Sequence, residues 1–190
     1  MNFSAVILAG GKSSRMGQDK ARLKVEGRPL LARQIELVRR VAAAEIFISS
    51  RAGEEYSEFG LPVLHDRFPD AGPLGGIERA LDTARSPLLL VLAVDMPCMT
   101  ADQLDRLKTV SSAGRGVVPR LAGRLEPLAA FYPKTAQAIA AKLLSERSYA
   151  VRVFAEQCRQ SSLVEFYEPG EADAHCFSNW NTPDDVTVPI

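Results

Sequence analysis

Two places in this chain carry residue types that can do chemistry on an anion. Near the start, the apolar run Ala5–Ala9 breaks at Gly10-Gly11 and continues into Lys12, Ser13, Ser14, Arg15 and then Lys20. Successive glycines let backbone N–H groups turn toward a bound phosphate with no Cβ in the way. Arg15 and Lys20 add cations, the arginine as a planar fork and the lysine as a point charge. The pattern is not a Walker A loop, which needs glycine where Val6 stands, and it is not G-x-G-x-x-G. An ordinary β–α turn with solvated charges is the plainer reading of the same residues. The second place is Asp95, which follows seven aliphatic residues, Leu88 to Val94, and precedes Met96-Pro97. One carboxylate together with phosphate oxygens is the usual way a protein holds Mg²⁺, although a turn or N-cap aspartate is common in such a position.

Two further strand ends are polar. One closes in Ser49-Ser50-Arg51 and another in His65-Asp66, shortly before "GPLGG" at Gly72 to Gly76. The glycines open a helix, whose N-terminal amides suit an anion. His65 reads as structural, since nothing near it has metal-ligand spacing.

These residues need elements to position them. The pattern predicts strands over Ser4–Leu8, Glu45–Ser49, Leu61–His65, Leu88–Val94, Gly116–Pro119, Leu128–Tyr132 and Leu163–Tyr167. It predicts helices over Pro29–Ala43, Gly76–Ala84, Ala101–Val110, Lys134–Leu144 and Tyr149–Gln157, with Thr100 and Ser148 as N-caps. Strands alternating with helices, and strands apolar throughout (AVILA, LLLVLAV), indicate an α/β fold with a mostly parallel buried sheet and helices on both faces. Ligands of such sheets lie outside the carboxyl ends of the strands, where the four polar ends would gather.

The chain has 190 residues and no linker or repeat, so one domain is expected. Lys and Arg balance Asp and Glu at 23 each, which argues against a nucleic-acid binder. The longest apolar run, Pro87 to Val94, is too short for a bilayer. The first residues lack the charged start of a signal peptide. Cys98, Cys158 and Cys176 are odd in number and scattered, as expected of reduced thiols in a cytoplasmic protein.

In order along the chain stand "LAGGKSSRMGQDK" (Leu8 to Lys20), "GPLGG", "DMP" (Asp95 to Pro97), "EPLAAFY" (Glu126 to Tyr132) and "NWNTPDD" (Asn179 to Asp185). Together they resemble the molybdenum cofactor guanylyltransferases, within the wider nucleotidyltransferase group that shares the L-A-G-G-x-S-x-R-M-G opening. The resemblance implies a Rossmann-like fold and transfer of GMP from GTP to the terminal phosphate of a molybdopterin cofactor, with release of pyrophosphate. By motif position it implies that Leu8, Ala9, Gly10, Gly11, Lys20, Ser49, Asp66, Gly75 and Asp95 bind the nucleotide. Arg15, Lys20 and Asp95 would be catalytic, Asp95 would hold Mg²⁺, and Asn179 and Asn181 would face the acceptor. The nucleotide part would span about 1–110 and the acceptor part about 111–190. Transient contacts with other cofactor-biosynthesis proteins are expected.

Three departures accompany the resemblance. Gly75 stands where alanine is more usual, Trp180 replaces an aliphatic residue, and the sequence stops at Ile190, leaving little room for a helix after the last motif. A cytidylyltransferase acting on a molybdopterin or a small alcohol phosphate is the rival enzyme, and a non-catalytic nucleotide sensor is the rival from another class. Relatives using CTP tend to carry L-A-A-G, against Gly10 here. Arg33, Arg39 and Arg40 read as a solvated helix face. Lys142, Arg147, Arg152 and Arg159 fit either a helix surface or an acceptor site. Phe131, Tyr132 and Trp180 could line a pterin slot, with core packing the safer reading for Phe131.

Overall fold

The computed structural model describes residues 1–10, 19–51 and 56–180. In chain order the elements are β1 (Phe3–Leu8), β2 (Lys24–Val25), β3 (Arg28–Pro29), α1 (Leu30–Arg40), β4 (Glu45–Ser50), β5 (Val63–His65) and α2 (Pro73–Thr83). Then come β6 (Leu88–Ala93), α3 (Ala101–Val110), β7 (Gly116–Leu121), β8 (Arg124–Leu125), β9 (Ala129–Pro133), α4 (Gln137–Ser145), α5 (Val151–Gln160) and β10 (Val164–Tyr167). Short 3₁₀ turns at Lys20–Arg22, Ser57–Phe59, Lys134–Ala136 and Glu171–Phe177 complete the path.

The main sheet has the order β10-β7-β9-β6-β1-β4-β5, with β8 folded back on β7. Strands β6, β1, β4 and β5 are parallel neighbours, so their carboxyl ends share one edge. Strand β9 runs antiparallel to β6, placing Leu92 opposite Ala129 and Leu88 opposite Pro133.

The continuous apolar strands are explained by burial on both faces. Along β1, Phe3, Ala5 and Ile7 join one cluster with Leu30, Leu31, Ile35 and Val38 of α1 and Leu104 and Leu107 of α3. Val6 and Leu8 point the other way, into a cluster with Leu74, Ile77 and Leu81 of α2, Leu143 of α4 and Phe154 of α5. Strand β6 divides in the same manner, Leu88, Leu90 and Leu92 against Leu89 and Val91. Truncating fully buried Leu90 to alanine costs about 2–5 kcal/mol.

Several boundaries differ from the sequence reading. Helix α2 starts at Pro73 instead of Gly76, because proline suits the first helical position and Gly72 takes the positive φ (62°) just before it. Helix α1 ends at Arg40, where Ala42 turns to φ 60°. Thr100 caps α3 as expected, its hydroxyl accepting from the Gln103 amide. Ser148 does not cap α5: its amide closes the end of α4 on the Leu143 carbonyl, and Ala150 fills the cap position with no side-chain bond. The β2–β3 hairpin, turning at Glu26 (φ 51°) and Gly27 (φ 78°), is an element the strand pattern missed. No helix among the described residues is long and apolar enough to cross a membrane.

Candidate functional site

The four polar strand ends lie where the parallel strands β6, β1, β4 and β5 finish. Leaving β1, the amides of Ala9 and Gly10 both donate to the Ser49 carbonyl at the end of β4, at 2.9 and 3.2 Å. The Ala9 and Gly10 amides are therefore already taken by β4. Gly11 and Arg15 lie outside the described residues, as does Asn181. Gly10 passes so close to β4 that a Cβ would stand 2.9 Å from the Arg51 amide nitrogen.

A cleft of about 510 Å³ opens beside Gly10, lined by Arg51, Asp66, Phe68, Pro69, Asp70 and Gly72. The Asp66 carboxylate stands at its wall. Burial lifts its pKa from the ordinary 3.8 to about 6, while the charges of Arg51 and His65 and a bond from Ser49 pull it back down. Its Oδ1 is buried without a hydrogen-bond partner. Such an atom is a costly vacancy unless a donor arrives from outside. Gly75 packs on this carboxylate, with a would-be Cβ 3.3 Å from Asp66 Oδ2. Gly76 is tighter still, since a Cβ there would overlap Ser49 Oγ and lie 3.2 Å from Leu8 Cδ2. Ser49 itself is buried. His65 is exposed and its Nδ1 lies 3.2 Å from Ser50 Oγ, in keeping with a structural role.

On the other side of β1, Lys20 and Asp95 meet. The lysine ammonium donates to Asp95 Oδ2 at 2.9 Å and to the Trp180 carbonyl at 2.6 Å. The Trp180 amide in turn donates to the Asp95 carbonyl at 2.9 Å. Asn179 is adjacent and half-buried. Below this turn, Gln34 of α1 donates to the Met96 carbonyl at 2.7 Å. Among the described residues no group of three His, Cys, Asp or Glu side chains comes together to hold a metal. Asp95 thus offers a single carboxylate, a donor set that fits a divalent ion carried in on nucleotide oxygens.

Phe131 takes the core position that was its safer reading, and Tyr132 and Trp180 are placed differently from the pterin-slot expectation. Phe131 and Tyr132 are fully buried, Phe131 edge-on to Phe3 at 5.3 Å and the Tyr132 hydroxyl donating to the Pro127 carbonyl at 3.0 Å. The Trp180 ring is also in the core, and its backbone carbonyl and amide bond Lys20 and Asp95. Arg33 and Arg40 pair with Glu26 and Glu36 on the surface, as a solvated face does. Lys142 likewise pairs with Glu146 just past the end of α4, and Arg152 with Glu156 within α5.

Two residues at the site escaped the sequence reading. Asp19 caps the Lys20 turn through its bond to the Ala21 amide, and Tyr56 donates to Asp19. The adjacency of Asp19 to Lys20 was a usable signal; nothing local marks Tyr56.

Residues 5–161 match the MobA-like NTP transferase domain. The chain is 35% identical over 186 residues to the "Probable molybdenum cofactor guanylyltransferase" of Opitutus terrae, covering 96% of this chain and 92% of that one. It is 37% identical over 194 residues to the molybdenum cofactor guanylyltransferase of Rhizobium meliloti, covering 96% and 88%. Its fold matches the molybdopterin-guanine dinucleotide biosynthesis protein A of Archaeoglobus fulgidus with a TM-score of 0.78 at 21% identity, over 96% and 94% of the two chains. The 2-C-methyl-D-erythritol 4-phosphate cytidylyltransferase of Thermus thermophilus shares the fold at a TM-score of 0.71 and 20% identity, over 98% and 96%. With a domain match over most of its length and full-length relatives above 30% identity, the chain belongs to the family of MobA-like NTP transferases.

Proposed function

We propose that this chain is a nucleotidyltransferase that moves GMP from GTP to the terminal phosphate of a molybdopterin cofactor and releases pyrophosphate. The observation that carries the chemistry is the meeting of Lys20 and Asp95 at the carboxyl edge of the sheet, the same edge that carries the Asp66 cleft. An oxygen of the acceptor phosphate attacks the α-phosphorus in line. That oxygen is already anionic, so no strong general base is required, and the obstacle is the approach of two polyanions. Positioning and charge stabilisation lower that barrier.

Lys20 faces the nucleotide phosphates, and Arg15 joins it on the departing pyrophosphate. Asp95 holds Mg²⁺ brought in with the nucleotide, and the bound ion supplies Lewis-acid stabilisation of phosphate charge. Leu8, Ala9, Gly10 and Gly11 serve to bind the nucleotide, Ser49 and Gly75 back the Asp66 carboxylate, and Asn179 and Asn181 serve to bind the acceptor. Residues about 1–110 then serve the nucleotide and about 111–190 the acceptor. The contact between Lys20 and Trp180 joins the two parts.

Guanine is favoured over cytosine by the Asp66 carboxylate at the wall of the cleft. A carboxylate only accepts hydrogen bonds. Guanine offers N1–H and N2–H₂ side by side on one edge, whereas cytosine offers N4–H₂ beside the acceptor N3.

A thermal-shift comparison of GTP, CTP and ATP, each with and without Mg²⁺, tests the reading. Ligand at ~100 times its Kd adds roughly 2.7 kcal/mol, which raises the melting point by about 5–10 °C at this chain length. A shift confined to Mg–GTP is expected. A matching shift with CTP moves the assignment to the cytidylyl class, and no shift with any nucleotide removes it.

A further inference from the structure

We infer that Tyr56 and Asp19 form a positioning pair that aims Lys20, an inference resting on the reading of Lys20 as the nucleotide-phosphate contact. The Asp19 carboxylate is held from three directions. Its Oδ1 accepts from the Ala21 amide at 2.9 Å, and its Oδ2 accepts from the Tyr56 hydroxyl at 3.1 Å. Arg22 Nε stands 3.6 Å from that same Oδ2. The Arg22 guanidinium also lies over the Tyr56 ring, 5.7 Å from its centroid, and pairs with Glu58 at 2.9 Å. Asp19 caps the single turn Lys20–Arg22, so these bonds fix the backbone from which the Lys20 side chain departs.

Tyr56 is 1% exposed and packs in the core cluster of the α1 face. Packing alone does not call for its hydroxyl, because phenylalanine fills the same volume. A buried hydroxyl without a partner is costly; here its partner is the carboxylate that precedes Lys20. A lysine stem has four rotatable bonds and little directional preference of its own. Its ammonium nonetheless meets both Asp95 Oδ2 and the Trp180 carbonyl. Anchoring the turn beneath the lysine restricts where the ammonium can reach. Misplacing such a group by about 1 Å costs up to ~10²-fold in rate.

Steady-state pyrophosphate release from Mg–GTP and molybdopterin, measured for Tyr56→Phe, Lys20→Ala and the double variant, tests the inference. Tyr56→Phe should lower kcat about tenfold while shifting the KM for GTP by less than about twofold. In the Lys20→Ala background the same change should cost nothing further, because the residue it aims is gone. Losses that multiply in the double variant overturn the inference, as does a Tyr56→Phe enzyme with wild-type kcat. An unimpaired Lys20→Ala enzyme instead removes the reading of Lys20 itself, and the inference with it. Should Tyr56→Phe melt below the assay temperature, Asp19→Asn carried through the same cycle decides by the same criteria.

Discussion

Lys20 and Asp95, 75 residues apart in sequence, share a 2.9 Å ion pair at the carboxyl edge of the sheet. Neither is deeply buried, their side chains being 17% and 23% exposed. Each balances the other's charge, and the lysine ammonium is held between two acceptors, Asp95 Oδ2 and the Trp180 carbonyl.

Asp95→Ala tests that arrangement. It leaves the sheet intact and should lower kcat by on the order of 10²–10³, the range for losing one group that stabilises transition-state charge. The Mg²⁺-dependent part of the GTP thermal shift should disappear with it. A variant that keeps near-wild-type turnover removes the metal role from Asp95.

Asp66 predicts opposite pH trends for stability and for binding. Its folded pKa, near 6 instead of 3.8, means that between those values the folded protein holds a proton the unfolded chain has released. This group's contribution to stability therefore rises as pH falls through that window. GTP affinity should fall over the same range, because a protonated carboxyl loses acceptor capacity toward guanine. Urea titrations and GTP binding from pH 4.5 to 8 check both trends, and Asp66→Asn should flatten both. Binding by the wild-type protein that stays level down to pH 5 would exclude Asp66 from the base site.

Gly76→Ala should destabilise the protein by about 1–3 kcal/mol, the usual cost of overpacking, since its methyl collides with Ser49 Oγ. Gly75→Ala should be much milder, its methyl meeting Asp66 and Ala71 at 3.3 Å. Adding Ser49→Ala to Gly76→Ala should restore part of the loss. Equal midpoints for the two glycine variants in urea would contradict the packing described.

The thiols should react in a defined order. Cys158 is fully buried, and burial pushes its pKa up to about 12. Cys176 is buried too, its pKa raised first of all by desolvation, whereas Cys98 is partly exposed. Ellman's reagent at pH 8 should find one fast thiol, lost in Cys98→Ser, with the other two appearing on unfolding. Three fast thiols would contradict the packing of α5 against the sheet.

The central strands were legible in the sequence because β1 and β6 are apolar on both faces, and a parallel strand buried on both sides must read as a continuous run. The direction of β9 was not legible, since alternation of side chains is the same whichever way a strand runs. The start of α2 was obscured by its glycines, although Pro73 at the first helical position was a readable sign. Of the candidate site, Asp66 and Asp95 were marked in the sequence by their place at strand ends and Lys20 by the charge of its loop, while the nucleotide role of Asp66 came from the family resemblance alone. Tyr56 was missed because its role depends on a hydroxyl meeting a carboxylate 37 residues away, a contact with no local periodicity. Tyr132 and Trp180 drew attention as ring surfaces, yet both are packed inside, as Phe131 was expected to be.

The hydrogen bond from Lys20 to the Trp180 carbonyl closes a loop of 160 residues. A ribosome makes the carbonyl that clamps the lysine 160 residues after the lysine itself. Until then the ammonium is present without that partner, which the sheet edge gains only after residue 180 has cleared the exit tunnel. A nascent chain that stops short of that point holds Lys20 and Asp95 without the clamp that joins them to the Trp180 segment.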